Sequence, residues 1–171
     1  MKRRGIQLSS RHKRWFYAGS VTLFLSGAVW VLFGWLFLTI GIVLGAWWAY
    51  EELGWGGYWA WDPVENASLM PWLTATALLH CCRTYRSGNS VVKWLILLSL
   101  VTFSLCIFGT FLTRYGLVSS VHAFPEPGLG IMFLFLLIVL WVLAALLWWR
   151  QQTHRKLDSV PTETAGAKVI A

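Results

Sequence analysis

Four long stretches without a charged residue constrain the fold of this chain more than any other feature of its sequence. They cover residues 15–50, 66–82, 94–113 and 129–149 of a chain of 171 residues. A helix needs about 20 consecutive apolar residues to cross the ~30 Å hydrocarbon core of a bilayer. Hydrophobic residues make up 57% of the composition and charged residues only 12%. The sequence therefore predicts an all-α polytopic membrane protein with about four transmembrane helices.

The distribution of charges predicts on which side of the membrane each connecting segment lies. With four spans, every one of the 14 basic residues except Arg114 falls on the inner side, and most acidic residues fall on the outer side. This asymmetry follows the positive-inside rule. Dividing the long first block into two spans would move the N-terminal positive charges to the outer side, so we predict one long or tilted first helix. The net charge of +7 thus reflects topology, and no nucleic-acid partner is expected.

The prediction divides the chain into nine segments that alternate between the inner side, the membrane and the outer side. In order, these are a basic inner N-terminus (1–14), helix 1 (15–50), an outward-facing tryptophan-rich loop (51–62), helix 2 (63–82), an inner loop (83–93), helix 3 (94–113), an outer loop with His122 (114–128), helix 4 (129–149) and a disordered inner tail (150–171).

The tryptophan-rich loop ends in a sequence that is typical of a helix start. Asp62 is a favoured N-cap residue, Pro63 suits the first helical position, and Glu65 stands where a capping-box partner would lie. Part of the acidity of this loop therefore has a purely structural interpretation.

Aromatic residues and glycines alternate within the same loop. The aromatic residues are Trp55, Tyr58, Trp59 and Trp61, and the glycines are Gly54, Gly56 and Gly57. One interpretation is an aromatic belt at the membrane interface. The other is a binding surface for a large planar apolar ligand, because glycines allow a close approach of the backbone and the rings offer broad, stiff faces. Composition alone leaves both open.

Two of the four histidines are candidate haem ligands. His122 lies in the outer loop among apolar neighbours and would suit axial ligation of haem iron; the alternative, which the residues alone favour slightly, is a capping or hydrogen-bonding role within the loop. His80 lies ~27 Å along helix 2 from Asp62, at 1.5 Å per residue, where it is either a functional membrane histidine or an interfacial residue near Arg83. Because they lie near opposite faces of the bilayer, the two histidines cannot bind the same iron.

The sequence contains no arrangement that is typical of a catalytic nucleophile. We find no Ser-His-Asp grouping and no phosphate-binding loop, and no catalytic residue is assigned. Cys81, Cys82 and Cys106 lack metal-ligand spacing, so we expect them to pack in the membrane helices. Any reaction would have to depend on a bound cofactor.

Two stretches resemble a known family. Residues 55–72, WGGYWAWDPVENASLMPW, are similar to the WWD motif of the haem-handling proteins of cytochrome c-type biogenesis, and their ending resembles the haem lyase members called CcmF and NrfE. Residues 109–124, GTFLTRYGLVSSVHAF, resemble the same family. The similarity covers roughly residues 30–140 and corresponds to a central portion of these proteins.

The resemblance implies a function and a set of ligands. Members attach haem b covalently to the CXXCH cysteines of an apocytochrome c at the outer face of the bacterial inner membrane. The loop from Trp55 to Asp62 would hold the incoming haem, His122 would be one of two external iron ligands, and His80 one of two membrane ligands of a resident haem b. Tyr58 replaces a common tryptophan, a mild change because an aromatic face remains.

The chain departs from the family in having far fewer spans and in lacking two of the expected histidines. We therefore expect other cytochrome c maturation subunits to supply those histidines, and we do not expect lyase activity from this chain alone. The alternatives are a non-catalytic haem carrier and an inactive fragment of a split lyase. The ending of the WWD motif argues against the carrier.

Overall fold

The computed structural model describes residues 10–54, 56–85 and 89–158, and within those ranges it contains four helices and no strand. The helices are α1 (Ser10–Glu52), α2 (Pro63–Thr84), α3 (Asn89–Tyr115) and α4 (Pro127–Asp158). The prediction of an all-α protein with four helices is confirmed. Residues 150–171 were predicted to form a disordered tail. The structure has α4 continue through this segment as far as Asp158, and the rest of the segment lies outside the described residues.

Three of the four helices have the length and composition needed to cross a membrane. The candidate spans are Leu25–Glu52, Val91–Tyr115 and Pro127–Thr153, with mean hydropathies of 2.2, 2.4 and 3.0. The 22-residue helix α2 is less apolar, because it carries several polar side chains among its apolar ones. It packs against both α1 and α3, so much of its surface faces protein.

The helices form an open row in chain order. Among the described residues, helix contacts join α1 to α2, α2 to α3 and α3 to α4, and no other pair of helices packs together. Few of the described side chains are buried. On α1 and α4, most of the described side chains are apolar and exposed. Such surfaces suit lipid or further helices, since contiguous apolar patches of this size are rare on soluble proteins.

Small residues allow α2 and α3 to approach closely. A Cβ atom added to Gly109 would lie 3.5 Å from the carbonyl oxygen of Ala67, and Ala67 and Ala75 are among the few buried residues. Pro71 lies inside α2 and has no N–H to donate to the Ala67 carbonyl. α3 therefore packs at the point where α2 lacks one hydrogen bond, an arrangement typical of membrane helices.

A reciprocal set of hydrogen bonds joins α1 to α2. Trp35 and Trp72 stack with ring centroids 5.9 Å apart. The Trp35 indole N–H donates to the Thr76 hydroxyl at 2.8 Å, and the Trp72 indole N–H donates to the Thr39 hydroxyl at 2.7 Å. Each threonine hydroxyl in turn donates to the carbonyl of the tryptophan four residues earlier on its own helix. We call these four residues the Trp–Thr clamp.

Loss of the Trp–Thr clamp is expected to destabilise the α1–α2 pair. Thr76→Val keeps the shape of the side chain but leaves the Trp35 indole N–H without its acceptor, at a cost of about 1 kcal/mol for a membrane helix pair. Thermal unfolding in detergent measures the difference. Thr110→Val is the matched control, because the Thr110 hydroxyl donates to Cys106 within its own helix. Equal stability of the two variants would contradict the assigned role.

The segment between α3 and α4 is fixed at both ends. The backbone N–H groups of Phe124 and Glu126 donate to the carbonyls of Thr113 and Arg114 at the end of α3. Gly116 has a φ of 80° and lies against Pro125, a turn that a residue with a side chain would adopt only with strain. These contacts fold residues 116–126 back over the end of α3 and so determine the position of His122.

Candidate functional site

The site begins at the first turn of α2, where the predicted capping box is confirmed. The Asp62 carboxylate accepts the backbone N–H of Val64 at 2.9 Å, and the Glu65 carboxylate accepts the N–H of Asp62 at 3.2 Å. The same Glu65 oxygen also accepts the N–H of Ala60 at 3.1 Å. The capping box therefore anchors the end of the tryptophan-rich loop to α2.

Trp61 has an unusual backbone conformation within this anchored segment. Its φ is 59°, in the left-handed region that large side chains rarely adopt. The Asn66 side chain donates to the Trp61 carbonyl at 2.9 Å and thereby helps to hold this conformation. The indole is 71% exposed and meets Trp59 edge-on, with ring centroids 6.3 Å apart. Strain of this kind is typical of functional sites.

His122 lies against the Asp62 carboxylate. Its Nδ1 atom is buried and lies 3.5 Å from the Asp62 Oδ2 atom, while the His122 side chain as a whole is 31% exposed. The exposed part of the side chain therefore lies elsewhere than at Nδ1. Ser120 joins the two residues, because its hydroxyl donates to Asp62 at 2.7 Å and accepts the backbone N–H of His122 at 3.0 Å.

A cavity of about 190 Å³ opens beside His122. One wall is a face of α1 that includes Gly41 and Gly45, and the other contains Trp59 and Glu65. Trp48, also on α1, lies near the His122 ring at a centroid distance of 6.1 Å. α1, the tryptophan-rich loop, α2 and the α3–α4 segment thus all contribute to one concave site that combines apolar walls with a histidine.

A larger groove of about 610 Å³ lies between α3 and α4. It is lined by apolar side chains and by Ser104, whose hydroxyl donates to the Leu100 carbonyl within α3. Because it contains no titratable group and no candidate ligand, its chemistry does not favour it as the functional site.

The pKa of Asp62 lies below its ordinary value. Partial burial is the largest single influence and raises the pKa, but it is outweighed by the hydrogen bonds that Ser120 and two backbone N–H groups donate to the carboxylate, together with the nearby His122 ring. The carboxylate is therefore charged at neutral pH. Its stabilising effect is present above the unfolded-state pKa of about 3.9 and is lost as the pH falls through the lower folded-state pKa.

The predicted site residues divide into those near the cavity and those away from it. His122 and Trp59 line the cavity, and Asp62 adjoins His122. Tyr58 stacks on Tyr50 of α1 with ring centroids 4.5 Å apart, which ties the loop to that helix. Trp55 lies outside the described residues.

His80 is separated from this cluster. Its side chain is exposed on α2, 18 residues beyond Asp62 and therefore ~27 Å along the helix. The described part of the chain contains no group of three or more His, Cys, Asp or Glu residues that could hold a metal ion.

Sequence reasoning missed three contributors to the site: the glycine face of α1, Trp48 as a neighbour of His122, and Ser120. Gly41 and Gly45 are four residues apart and precede Ala49, a spacing that places small residues on one face of a helix. That spacing could have indicated a close approach on α1. For Ser120 the sequence gives only a weak indication: a serine two residues before His122 can accept the His122 backbone N–H.

Comparisons with known proteins agree on one family. Residues 13–118 match the family described as cytochrome C assembly protein. The chain is 57% identical over 109 residues to the cytochrome c-type biogenesis protein CycK of Bradyrhizobium diazoefficiens, covering 63% of this chain and 16% of that relative. It is 51% identical over 127 residues to the cytochrome c-type biogenesis protein CcmF of Escherichia coli, covering 74% of this chain and 20% of that relative.

A solved structure is also similar. It is described as cytochrome c heme lyase CcmF, and the match has a TM-score of 0.54 and 43% identity over 66% of this chain and 17% of that chain. The present chain therefore spans about a fifth or less of the length of these relatives. Together with the three candidate spans, these relatives identify it as a multi-pass membrane protein.

Proposed function

The chain belongs to the cytochrome c assembly protein family, and on that basis we propose that it is a component of a cytochrome c haem lyase. In this proposal the chain binds haem b at the outer membrane face and presents it for covalent attachment to the CXXCH cysteines of an apocytochrome c. The loop of residues 51–62 and the α3–α4 segment then face the periplasm, and the N-terminus and the loop between α2 and α3 face the cytoplasm.

One observation carries the proposal: His122 and Trp59 line the same cavity, which α1 flanks with glycines. A neutral imidazole is a natural ligand for haem iron, and aromatic and glycine walls suit a flat macrocycle. The cavity is too small to enclose a porphyrin, so the ring would enter by one edge. The remainder would lie against the exposed loop aromatics, among them Tyr58 and Trp61.

The residues act in this proposal by binding and orientation. His122 holds the iron, and Trp59 and Trp61 fix the plane of the ring so that its vinyl groups point towards the cysteine thiols. Holding the haem and the cysteine thiols close together and correctly oriented would itself contribute much of the rate. The reactive vinyl groups belong to the haem and not to the protein. His80, near the inner end of α2, would ligate a separate resident haem b together with a histidine from another maturation subunit.

Covalent haem attachment in cells tests this function. The chain is co-expressed with its partner subunits and an apocytochrome c, and haem bound covalently to the cytochrome is measured after denaturing electrophoresis. His122→Ala, or Trp59→Ala combined with Trp61→Ala, is expected to reduce attachment at least about tenfold, because each removes about 1.4 kcal/mol or more of haem-binding free energy. Trp141→Ala, on α4, is the control and is expected to retain activity.

Two other outcomes are informative. Attachment that survives both site variants at the control level would contradict the lyase assignment. If the isolated chain binds haem, but deleting the chain leaves covalent attachment undiminished, a non-catalytic carrier is favoured instead.

A further inference from the structure

The Asp62 carboxylate has more contacts than a helix cap requires. A single oxygen, Oδ2, accepts the Val64 N–H and the Ser120 hydroxyl and also faces the His122 ring. An N-cap needs only the contact to the first turn of α2. The other two contacts come from a segment about 60 residues later in the chain, so they tie the α3–α4 segment to the start of α2.

The contacts orient His122 through both its backbone and its ring. The Ser120 hydroxyl receives the His122 backbone N–H at 3.0 Å while it donates to Asp62 at 2.7 Å. The His122 Nδ1 atom lies 3.5 Å from the same carboxylate, slightly beyond the usual range of about 2.7–3.2 Å for an N–H···O hydrogen bond. The Asp62 side chain is only 11% exposed, so little water competes for this contact.

We propose that Asp62 is a positioning residue for His122, whose carboxylate takes the Nδ1–H of the imidazole and leaves Nε2 as the atom that binds haem iron. A neutral imidazole has one donor and one acceptor nitrogen, so a carboxylate at Nδ1 selects the tautomer with its lone pair on Nε2. Carboxylate partners of this kind are common behind metal-binding histidines, where they orient the ring and make it more basic. This inference rests on the proposed function.

Substitutions at Asp62 separate its two roles. Serine is as good an N-cap as aspartate, but its side chain is one atom shorter and carries no charge, so Asp62→Ser keeps the cap and loses the contact to His122. Asparagine also caps the helix and keeps an acceptor oxygen of similar reach. Ser120→Ala removes the bridging hydroxyl without altering the cap. The Trp–Thr clamp and the glycine face of α1 are unchanged in all three variants.

The test is a titration with haem b in detergent of the purified chain, with His80→Gly present in every sample, followed by resonance Raman measurement of the iron–histidine stretching frequency. Asp62→Ser is expected to weaken haem binding about tenfold, as is usual for loss of such a partner, and to lower the stretching frequency. Asp62→Asn is expected to retain more of the affinity than Asp62→Ser, and Ser120→Ala to shift the frequency in the same direction by less. Unfolding temperatures of the serine and asparagine variants close to that of the wild-type chain establish that the cap is intact.

The outcomes distinguish this inference from the function on which it rests. If His122→Gly leaves affinity and frequency at wild-type values, His122 is not the ligand and the proposed function fails. If His122→Gly removes the signal while Asp62→Ser keeps wild-type affinity and frequency, only the positioning role of Asp62 is overturned. Should Asp62→Ser fail to fold, a wild-type frequency in Ser120→Ala would overturn it instead.

Discussion

Replacement of Gly45 by leucine is expected to weaken haem binding at least about tenfold while leaving the fold intact. A Cβ atom at Gly45 meets nothing within 4 Å, so the side chain starts without a clash, and a leucine there is expected to occupy part of the cavity of about 190 Å³ beside His122. Filling that space removes room for the porphyrin edge, and a loss of about 1.4 kcal/mol corresponds to the tenfold change. Titration of the purified chain with haem b measures the dissociation constant.

Gly34→Leu is the matched control for this prediction. Gly34 also lies within α1, has nothing within 4 Å of an added Cβ, and does not line the cavity. Both substitutions exchange a poor helix former for a good one, which favours α1 by up to about 1 kcal/mol. Equal haem affinities of the two variants would show that the cavity is not the haem-binding site.

Replacement of Gly130 by alanine is expected to destabilise the α3–α4 junction by about 1–3 kcal/mol, the usual cost of adding atoms to a packed contact. An added Cβ would lie 2.8 Å from both the Cα and the Cβ of Tyr115. Neither atom can move without the backbone of α3, so the two helices must separate. Thermal unfolding in detergent measures the loss of stability.

Gly128→Ala provides the comparison, since an added Cβ there meets nothing within 4 Å and its effect is expected to stay within about 0.5 kcal/mol. Because the α3–α4 segment carries His122, Gly130→Ala is also expected to weaken haem binding when Gly128→Ala does not. A Gly130 variant as stable as the Gly128 variant would contradict the close packing of these helices.

The features that could be predicted from the sequence are local ones. The capping box at Asp62 and Glu65 was predictable because its residues are three apart and its chemistry is specific. The helices were predictable because long apolar blocks leave few other solutions in a membrane. The one non-local expectation was that His122 lies near the tryptophan-rich loop, since the predicted four spans bring both segments to one side.

The remaining parts of the site depend on contacts between distant residues. Ser120 and Asp62 are 58 positions apart, and Trp35 and Thr76 are 41 apart. No periodic pattern in the sequence indicates that residues so far apart form a hydrogen bond. Glycines on α1 carry no chemistry of their own and gain a role only once α2 is packed beside them. The lower hydropathy of α2 can be read from its residues. The reason for it, that α2 packs between α1 and α3, becomes clear only from the structure.

The function proposed for this chain requires that His122 binds haem iron in the cavity shared by α1 and the tryptophan-rich loop. This requirement is tested by the absorption spectrum of the reduced, haem-loaded chain. Every sample carries His80→Gly, so that the proposed membrane site contributes nothing. We predict a histidine-ligated spectrum that is lost in His122→Gly and restored by added imidazole, which would occupy the space left by the ring. An identical spectrum with and without His122, unaffected by imidazole, would show that His122 does not bind the iron.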